Sequence, residues 1–206
     1  MHAALGEPVR LAIVDDLVLT DRSPKDLGDR HGLPTNLLAH HLDVLEAAGL
    51  IVRFTSAGDR RRRYVRLVRQ PLSELVLGPP QPIGPAMFLC SHNSARSQLA
   101  AALWTARTGQ PAASAGTHPV SRVHEAAVAA GRRAGLDLSR VVPRLVEHID
   151  PAAQVVTVCD RAHEELDPGP AWWHWSIPDP VETGTADAFD AVVADLDARI
   201  HSLIAS

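Results

Sequence analysis

The sequence predicts two domains of different class: a mostly α-helical domain closed by a β-hairpin, followed by an α/β domain built on a parallel sheet. Three observations predict this. Up to residue 48, apolar residues recur at helical spacing, and two short β-prone runs around a Ser-Ala-Gly-Asp turn follow. From residue 86 onward, strand-like and helix-like runs alternate. Between these regions, residues 70–85 carry five prolines, which remove backbone donors and fix φ. The expected divisions are therefore 1–69, a Pro-rich linker at 70–85, and 86–206.

The first helix spans Val9 to Leu19, with Leu11, Val14, Leu17 and Val18 on its apolar stripe. Ser23-Pro24-Lys25-Asp26 starts the second: Ser caps, Pro occupies the first turn, and Asp stands three residues after the cap. His31-Gly32 ends it through a left-handed exit. The third runs from Thr35 to Ala48, with Leu38, Leu42 and Leu45 on one face and Gly49 as its stop. Leu50–Phe54 and Arg63–Val68 are the hairpin strands. In the second half, strands are expected at Ala86–Cys90, Ala112–Ser114, Val155–Cys159 and Trp172–Ser176. A last helix carries Phe189, Val192, Val193, Leu196, Ile200 and Leu203 on one stripe. Trp172, Trp173 and Trp175 read as core packing rather than as walls of a site.

Apolar residues make up 46% and charged residues 21% of the 206, the balance of an ordinary globular chain. No run approaches the roughly 18 apolar residues of a membrane span, and Met1–Glu7 lacks a basic stretch followed by an apolar core. A cytoplasmic protein without a membrane partner is the expectation. Two cysteines make no disulfide framework. Through Gln70 there are 11 Lys and Arg against 9 Asp and Glu, whereas the remainder has 9 against 15. The basic excess in front suits an anionic polymer.

Three helices followed by a basic hairpin form a winged helix-turn-helix pattern. Its third helix fits the major groove of double-stranded DNA, and its hairpin arginines reach phosphates. Thr35, Asn36, His40 and His41 stand at the start or on the open face of that helix. Arg60, Arg61, Arg62 and Arg63 form the wing tip, where adjacent cations repel each other unless an anion is near. Adjacent histidines do not face one another on a helix, so no metal site is expected. Leu5-Gly6-Glu7-Pro8-Val9-Arg10-Leu11-Ala12-Ile13, Ala39-His40-His41-Leu42 and Leu45-Glu46-Ala47-Ala48-Gly49-Leu50 resemble the ArsR-type family of winged-helix repressors over residues 3–68. The resemblance implies DNA binding and a homodimer. This half lacks the cysteines of the family's arsenic sensors, and residues 71–85 leave room for only a short dimerisation helix.

Cys90-Ser91-His92-Asn93-Ser94-Ala95-Arg96-Ser97 lies between a strand and a helix. Its N–H groups form an inward-facing nest, the helix adds its positive end, and Arg96 can grip a tetrahedral oxyanion bidentately. The same surroundings favour the Cys90 thiolate as nucleophile, and Ser97 can donate to its sulfur. Ser91, His92, Ser94 and Ala95 complete the oxyanion loop. With Ser114-Ala115-Gly116-Thr117, Gly135-Leu136-Asp137-Leu138-Ser139 and Trp175-Ser176-Ile177-Pro178-Asp179-Pro180, this loop resembles the low-molecular-weight phosphatase superfamily, which includes bacterial arsenate reductases. The resemblance spans residues 86–205. It implies a four-stranded parallel sheet of that type, Asp179 as general acid, and Asn93 as the residue holding a strained turn.

Thiolate attack on arsenate or on a phosphate ester begins alike. Ser94 and Arg96-Ser97-Gln98 resemble the reductase loop, and Val181-Glu182-Thr183-Gly184 lacks the aromatic pair that stacks on phosphotyrosine. Cys159 matches the first of two further reductase cysteines, and Leu166 stands where the second belongs. Cys159 is thus either a resolving thiol or a buried strand-end cysteine. No bound cofactor is expected. The reductant is an external thiol from the mycothiol, glutathione or thioredoxin system, and 19 arginines to one lysine, a mark of a GC-rich genome, lean toward mycothiol. Ala101 replaces the acidic ligand of the branch's potassium site, so none is expected. The leading reading is a regulator that is also an arsenate reductase active in arsenic resistance. The alternatives are a tyrosine phosphatase with a DNA-binding half, and a repressor whose cysteine domain only senses an oxyanion or redox state.

Overall fold

A computed structural model describes residues 2–72, 82–166 and 168–204. The chain divides into two compact units, one built from residues 2–56 and 60–72 and the other from residues 57–59 and 82–204. Most of the expected linker, residues 73–81, lies outside the described residues.

The first unit is a winged helix. A short α1 (His2–Leu5) precedes α2 (Pro8–Leu19), whose N-terminal amide at Arg10 is capped by Glu7. Ile13, Val14, Leu17 and Val18 are the buried face of α2. Leu11, assigned to that stripe from sequence, is instead 40% exposed, because the face turns by one position to bury Ile13. The α3 helix (Pro24–His31) has the expected capping box between Ser23 and Asp26, and Gly32 leaves it at φ 62. The α4 helix (Thr35–Ala47) buries Leu38, His41, Leu42 and Leu45. Strands β1 (Ile51–Thr55) and β2 (Arg63–Leu67) pair antiparallel with Thr55 opposite Arg63, so the wing loop extends to Arg62, beyond the expected turn at 56–59. Arg22 exchanges backbone hydrogen bonds with Val65, which ties the α2–α3 connection to the hairpin. The apolar faces of α2 and α4 close one core with Leu27, Leu50, Ile51, Val65 and Leu67.

The second unit is a four-stranded parallel sheet in the order β4-β3-β5-β6. Its strands are β3 (Ala86–Cys90), β4 (Ala112–Gly116), β5 (Gln154–Thr157) and β6 (Trp173–His174). Strand β5 ends at Thr157, so Cys159 stands in the turn beyond it, and β6 is shorter than the expected Trp172–Ser176. Helices α5 (Arg96–Thr108), α6 (Glu125–Arg133), α7 (Asp160–Leu166), α8 (Pro180–Thr183) and α9 (Ala186–Ile204) complete the unit.

Side chains alternate across β3. Met87 and Leu89 join a cluster with Ala115 and Val155, against which Leu166 and Trp172 pack. Phe88 meets Trp104 and Trp175, with ring centroids 5.7 and 5.8 Å away. Trp175 is therefore a core residue, and the half-buried Trp172 packs against the core. Among the described residues, no helix is long and apolar enough to cross a membrane.

Candidate active site and nucleic-acid interface

Cys90 ends the central strand β3, and five loop residues later Arg96 starts α5. The loop's carbonyl groups are turned outward: those of Cys90, Ser91, His92 and Ser94 accept from the N–H groups of Thr117, His118, Val120 and His124. A peptide whose carbonyl points out presents its N–H to the other side, and the Asn93 N–H reaches Cys90 Sγ at 3.2 Å. The N-terminal end of the 13-residue α5 adds partial positive charge there.

Asn93 adopts φ 49, the left-handed region that costs a non-glycine residue about 1 kcal/mol. Its fully buried amide offsets that cost. Nδ2 donates to Ser97 Oγ at 2.8 Å and to Ser114 Oγ at 2.9 Å. Oδ1 accepts from Arg144 N at 2.9 Å and from Gln98 Nε2 at 3.1 Å. The Arg144 amide can only donate, so the orientation of the Asn93 side chain follows. Ser97 Oγ accepts from Asn93, which leaves its hydroxyl proton for Cys90 Sγ at 3.0 Å. Gly116 passes behind the loop, where a Cβ would stand 2.6 Å from the Ser91 carbonyl oxygen and 3.0 Å from Asn93 N.

Arg96 is 7% exposed and is held from the segment after β6. Its Nη1 donates to the Ile177 carbonyl at 3.1 Å and its Nη2 to Asp179 Oδ2 at 2.5 Å. The other carboxylate oxygen of Asp179 accepts from Val181 N at the start of α8. The structure thus brings Cys90, Asn93, Arg96, Ser97 and Asp179 to one place. Ser91 and Ala95 are buried in the same loop, Ser94 is half-buried, and His92 is exposed.

Strands β3 and β5 are neighbours, with Leu89 opposite Thr157, so the chain leaves the sheet toward Cys90 and Cys159 at the same C-terminal end of the strands. Cys159 is buried, its sulfur 3.5 Å from Ser91 Oγ and 3.4 Å from Ala162 N. Burial pushes its thiol above the usual range; Arg96 opposes the shift and Cys90 reinforces it. Both cysteines are free thiols. Sequence reasoning missed Gln98, Ser114 and the Arg144 backbone, which fix Asn93. Gln98 and Ser114 stand inside the motifs that define the loop and the second strand, but Arg144 acts through its backbone and leaves no residue signature.

In the winged helix, Thr35, Asn36 and His40 are exposed on α4, and Arg60 to Arg63 are exposed on the wing. Thr35 and Arg63 line one surface groove of about 660 Å³ together with Lys25 of α3. Arg53 of β1 donates to Glu46 and to Asp43 of α4, joining wing and helix. His41 departs from the expectation. It is 7% exposed and faces Glu7, 3.7 Å away, because position 41 falls on the α4 stripe that carries Leu38, Leu42 and Leu45.

Comparison with known proteins divides along the chain. The N-terminal region is 38% identical over 76 residues to the HTH-type transcriptional repressor SmtB of Mycobacterium tuberculosis, a match covering 36% of this chain. The chain spans about half the length of that relative, 53%. Among solved structures, the tyrosine phosphatase AmsI of Erwinia amylovora superposes with TM-score 0.52 at 19% identity, over 60% of this chain and 93% of its own. The low molecular weight protein tyrosine phosphatase of T. tengcongensis gives 0.51 at 21%, over 59% and 97%. An arsenate reductase in its phosphate-binding state gives 0.50 at 22%, also over 59% and 97%. At these identities the structures establish the fold. The sequence profile of the family described as low molecular weight phosphotyrosine protein phosphatase matches residues 86–206, more than half of the chain, and the chain belongs to that enzyme family.

Proposed function

We propose that the chain is a DNA-binding regulator that also reduces arsenate with the help of an external thiol. The observation that carries the enzymatic half is the Cys90 sulfur, held between Ser97 Oγ at 3.0 Å and the Asn93 N–H at 3.2 Å in the loop that Arg96 closes. Such donors stabilise a sulfur anion and the oxyanion it attacks.

In the proposed reaction the Cys90 thiolate attacks arsenic and an As–O bond breaks. The departing oxygen takes a proton, passed from solvent through Asp179, and leaves as water. A second thiol then attacks the Cys90 sulfur. An S–S bond forms, the S–As bond breaks, and its electron pair stays on arsenic, which passes from As(V) to As(III) and leaves as arsenite. Two thiols and arsenate thus give a disulfide, arsenite and water. Cys159, next to Ser91, or a small thiol such as mycothiol or glutathione provides the second sulfur. The α8 segment Pro180–Thr183, without an aromatic residue, supports a small inorganic substrate. Two free cysteines suit a reducing cytoplasm.

The DNA-binding half is read as a homodimer that places two α4 helices in successive major grooves. The exposed wing arginines and the likeness to SmtB support this.

A second reading, phosphate-ester hydrolysis through a phosphocysteine opened by water, is favoured by the family profile. The deciding assay offers arsenate to the purified protein with mycothiol, glutathione or thioredoxin systems, and p-nitrophenyl phosphate in parallel. Arsenite formation that is abolished in Cys90→Ser is the expected result. Hydrolysis of the aryl phosphate with no arsenite from any reductant would replace reductase with phosphatase.

A further inference from the structure

One buried polar network lies outside the oxyanion loop. Thr157 closes β5, His174 closes β6 and Asp160 opens α7. Thr157 Oγ1 lies 2.9 Å from Nδ1 of His163 and 2.9 Å from Nδ1 of His174. His174 Nε2 is 3.1 Å from Asp160 Oδ1, and the two imidazoles stack with centroids 4.0 Å apart. The Ser176 hydroxyl donates to the Asp160 carboxylate. Thr157, Asp160, His174 and Ser176 are all buried.

Apolar side chains would fill this space without desolvating a carboxylate, a step that costs several kcal/mol per ion. Against burial, which raises it, the bonds from His174 and Ser176 hold the Asp160 carboxyl below the usual range. Polar bonds supply what packing does not, a fixed direction, and the bonds of His174 and Ser176 to Asp160 bear on one segment. Trp175 N donates to the Thr157 carbonyl at 2.8 Å, which pins the segment's start beside the network. Ser176, bonded to Asp160, precedes Ile177, whose carbonyl accepts from Arg96 Nη1, and Asp179 accepts from Nη2. The guanidinium is thus gripped by a segment whose other end the network holds.

We propose that His174 and Asp160 are positioning residues of the oxyanion site: they fix residues 175–179, which in turn aim the Arg96 guanidinium into the Cys90 loop. This rests on the reading of that loop as an oxyanion site. Neither residue touches the anion; their effect passes through Ser176 and Ile177 to Arg96.

The test is calorimetric titration of inorganic phosphate into the reduced full-length protein, which needs no turnover. Loss of one charge-assisted hydrogen bond's worth of orientation predicts a dissociation constant roughly 10-fold weaker for His174→Phe. His174→Gln, whose amide can still donate to Asp160, should stay within about 2-fold of wild type on the same reasoning. Ser176→Ala, a small change in volume, should weaken binding a few-fold. Wild-type affinity in His174→Phe, or equal loss in His174→Gln and His174→Phe, overturns the proposal. If His174→Phe does not fold, Ser176→Ala decides, and an unchanged constant there overturns it. A wild type that binds no phosphate fails the oxyanion reading itself and takes this inference with it.

Discussion

Asn93 donates its side-chain amide to Ser97 Oγ at 2.8 Å, and this fixes which way the serine proton points. The hydroxyl lies 3.0 Å from Cys90 Sγ and, with one acceptor position filled by Asn93, offers its hydrogen to the sulfur. Asn93→Ala should therefore slow both turnover and alkylation of Cys90 by iodoacetate at pH 7 by about 10-fold, the worth of a charge-assisted hydrogen bond. Asn93→Gly removes the same amide but accepts φ 49 freely, so it should be about 1 kcal/mol more stable than the alanine variant in urea unfolding. Equal stability of the two would show that the left-handed turn relaxes on substitution.

Gly116 should tolerate no side chain. The nearest atoms to an added Cβ are the Ser91 carbonyl oxygen and Asn93 atoms, which belong to the hydrogen-bonded loop and cannot swing away. Gly116→Ala should destabilise the protein by about 1–3 kcal/mol, the usual cost of overpacking, and cut activity by displacing the loop. Thermal unfolding and turnover check this together; a variant with wild-type values for both would mean that β4 moves aside.

Cys159 is held in its neutral form by burial. A neutral thiol attacks poorly, so Cys159→Ser should keep substantial arsenate turnover with a small-thiol system. In the wild type, a Cys90–Cys159 bridge should form faster as pH rises toward the raised thiol value. The linkage has the same root. The unfolded chain loses the Cys159 proton at a lower pH than the folded chain does. Stability from this group is thus present below the ordinary thiol range and declines as pH rises above it. Loss of turnover in Cys159→Ser with every reductant, together with a bridge seen by mass spectrometry, would establish the intramolecular route instead.

On the DNA side, alanine at Arg60, Arg61, Arg62 and Arg63 should weaken binding to specific and random duplexes alike. It should also flatten the salt dependence by about 0.9 in log–log slope for each phosphate no longer neutralised. Asn36→Ala and His40→Ala should erode sequence preference, since both side chains are exposed on α4. His41→Ala should act differently: it leaves a hole beside Leu42 and Leu45 and should cost about 1–3 kcal/mol of stability without altering preference. Band shifts over a range of salt, with thermal melts of each variant, separate the three classes. Failure of the wild type to bind its own upstream region would count against the regulator reading.

The sequence by itself determined the local features. The capping box of Ser23 and Asp26, the exit at Gly32, the apolar stripe of the last helix and the strand–loop–helix around Cys90 are each set by neighbours within a few residues. Asn93 and Arg96 were legible for the same reason, because the loop's chemistry is written in eight consecutive residues. Tertiary structure alone decided which of two adjacent histidines faces solvent. A small rotation of α4 about its axis puts His41 in the core and His40 outside, and packing against the α2, α3 and hairpin residues of that core sets the angle. It also decided that β3 and β5 are neighbours, so Ser91 reaches Cys159 across a gap of 68 positions in the chain. The pairing of His174 with Asp160 and the grip of Ile177 and Asp179 on Arg96 have the same origin. Strand order is a choice among packings that share one hydrophobic pattern, and contacts between distant segments exist only once that choice is made.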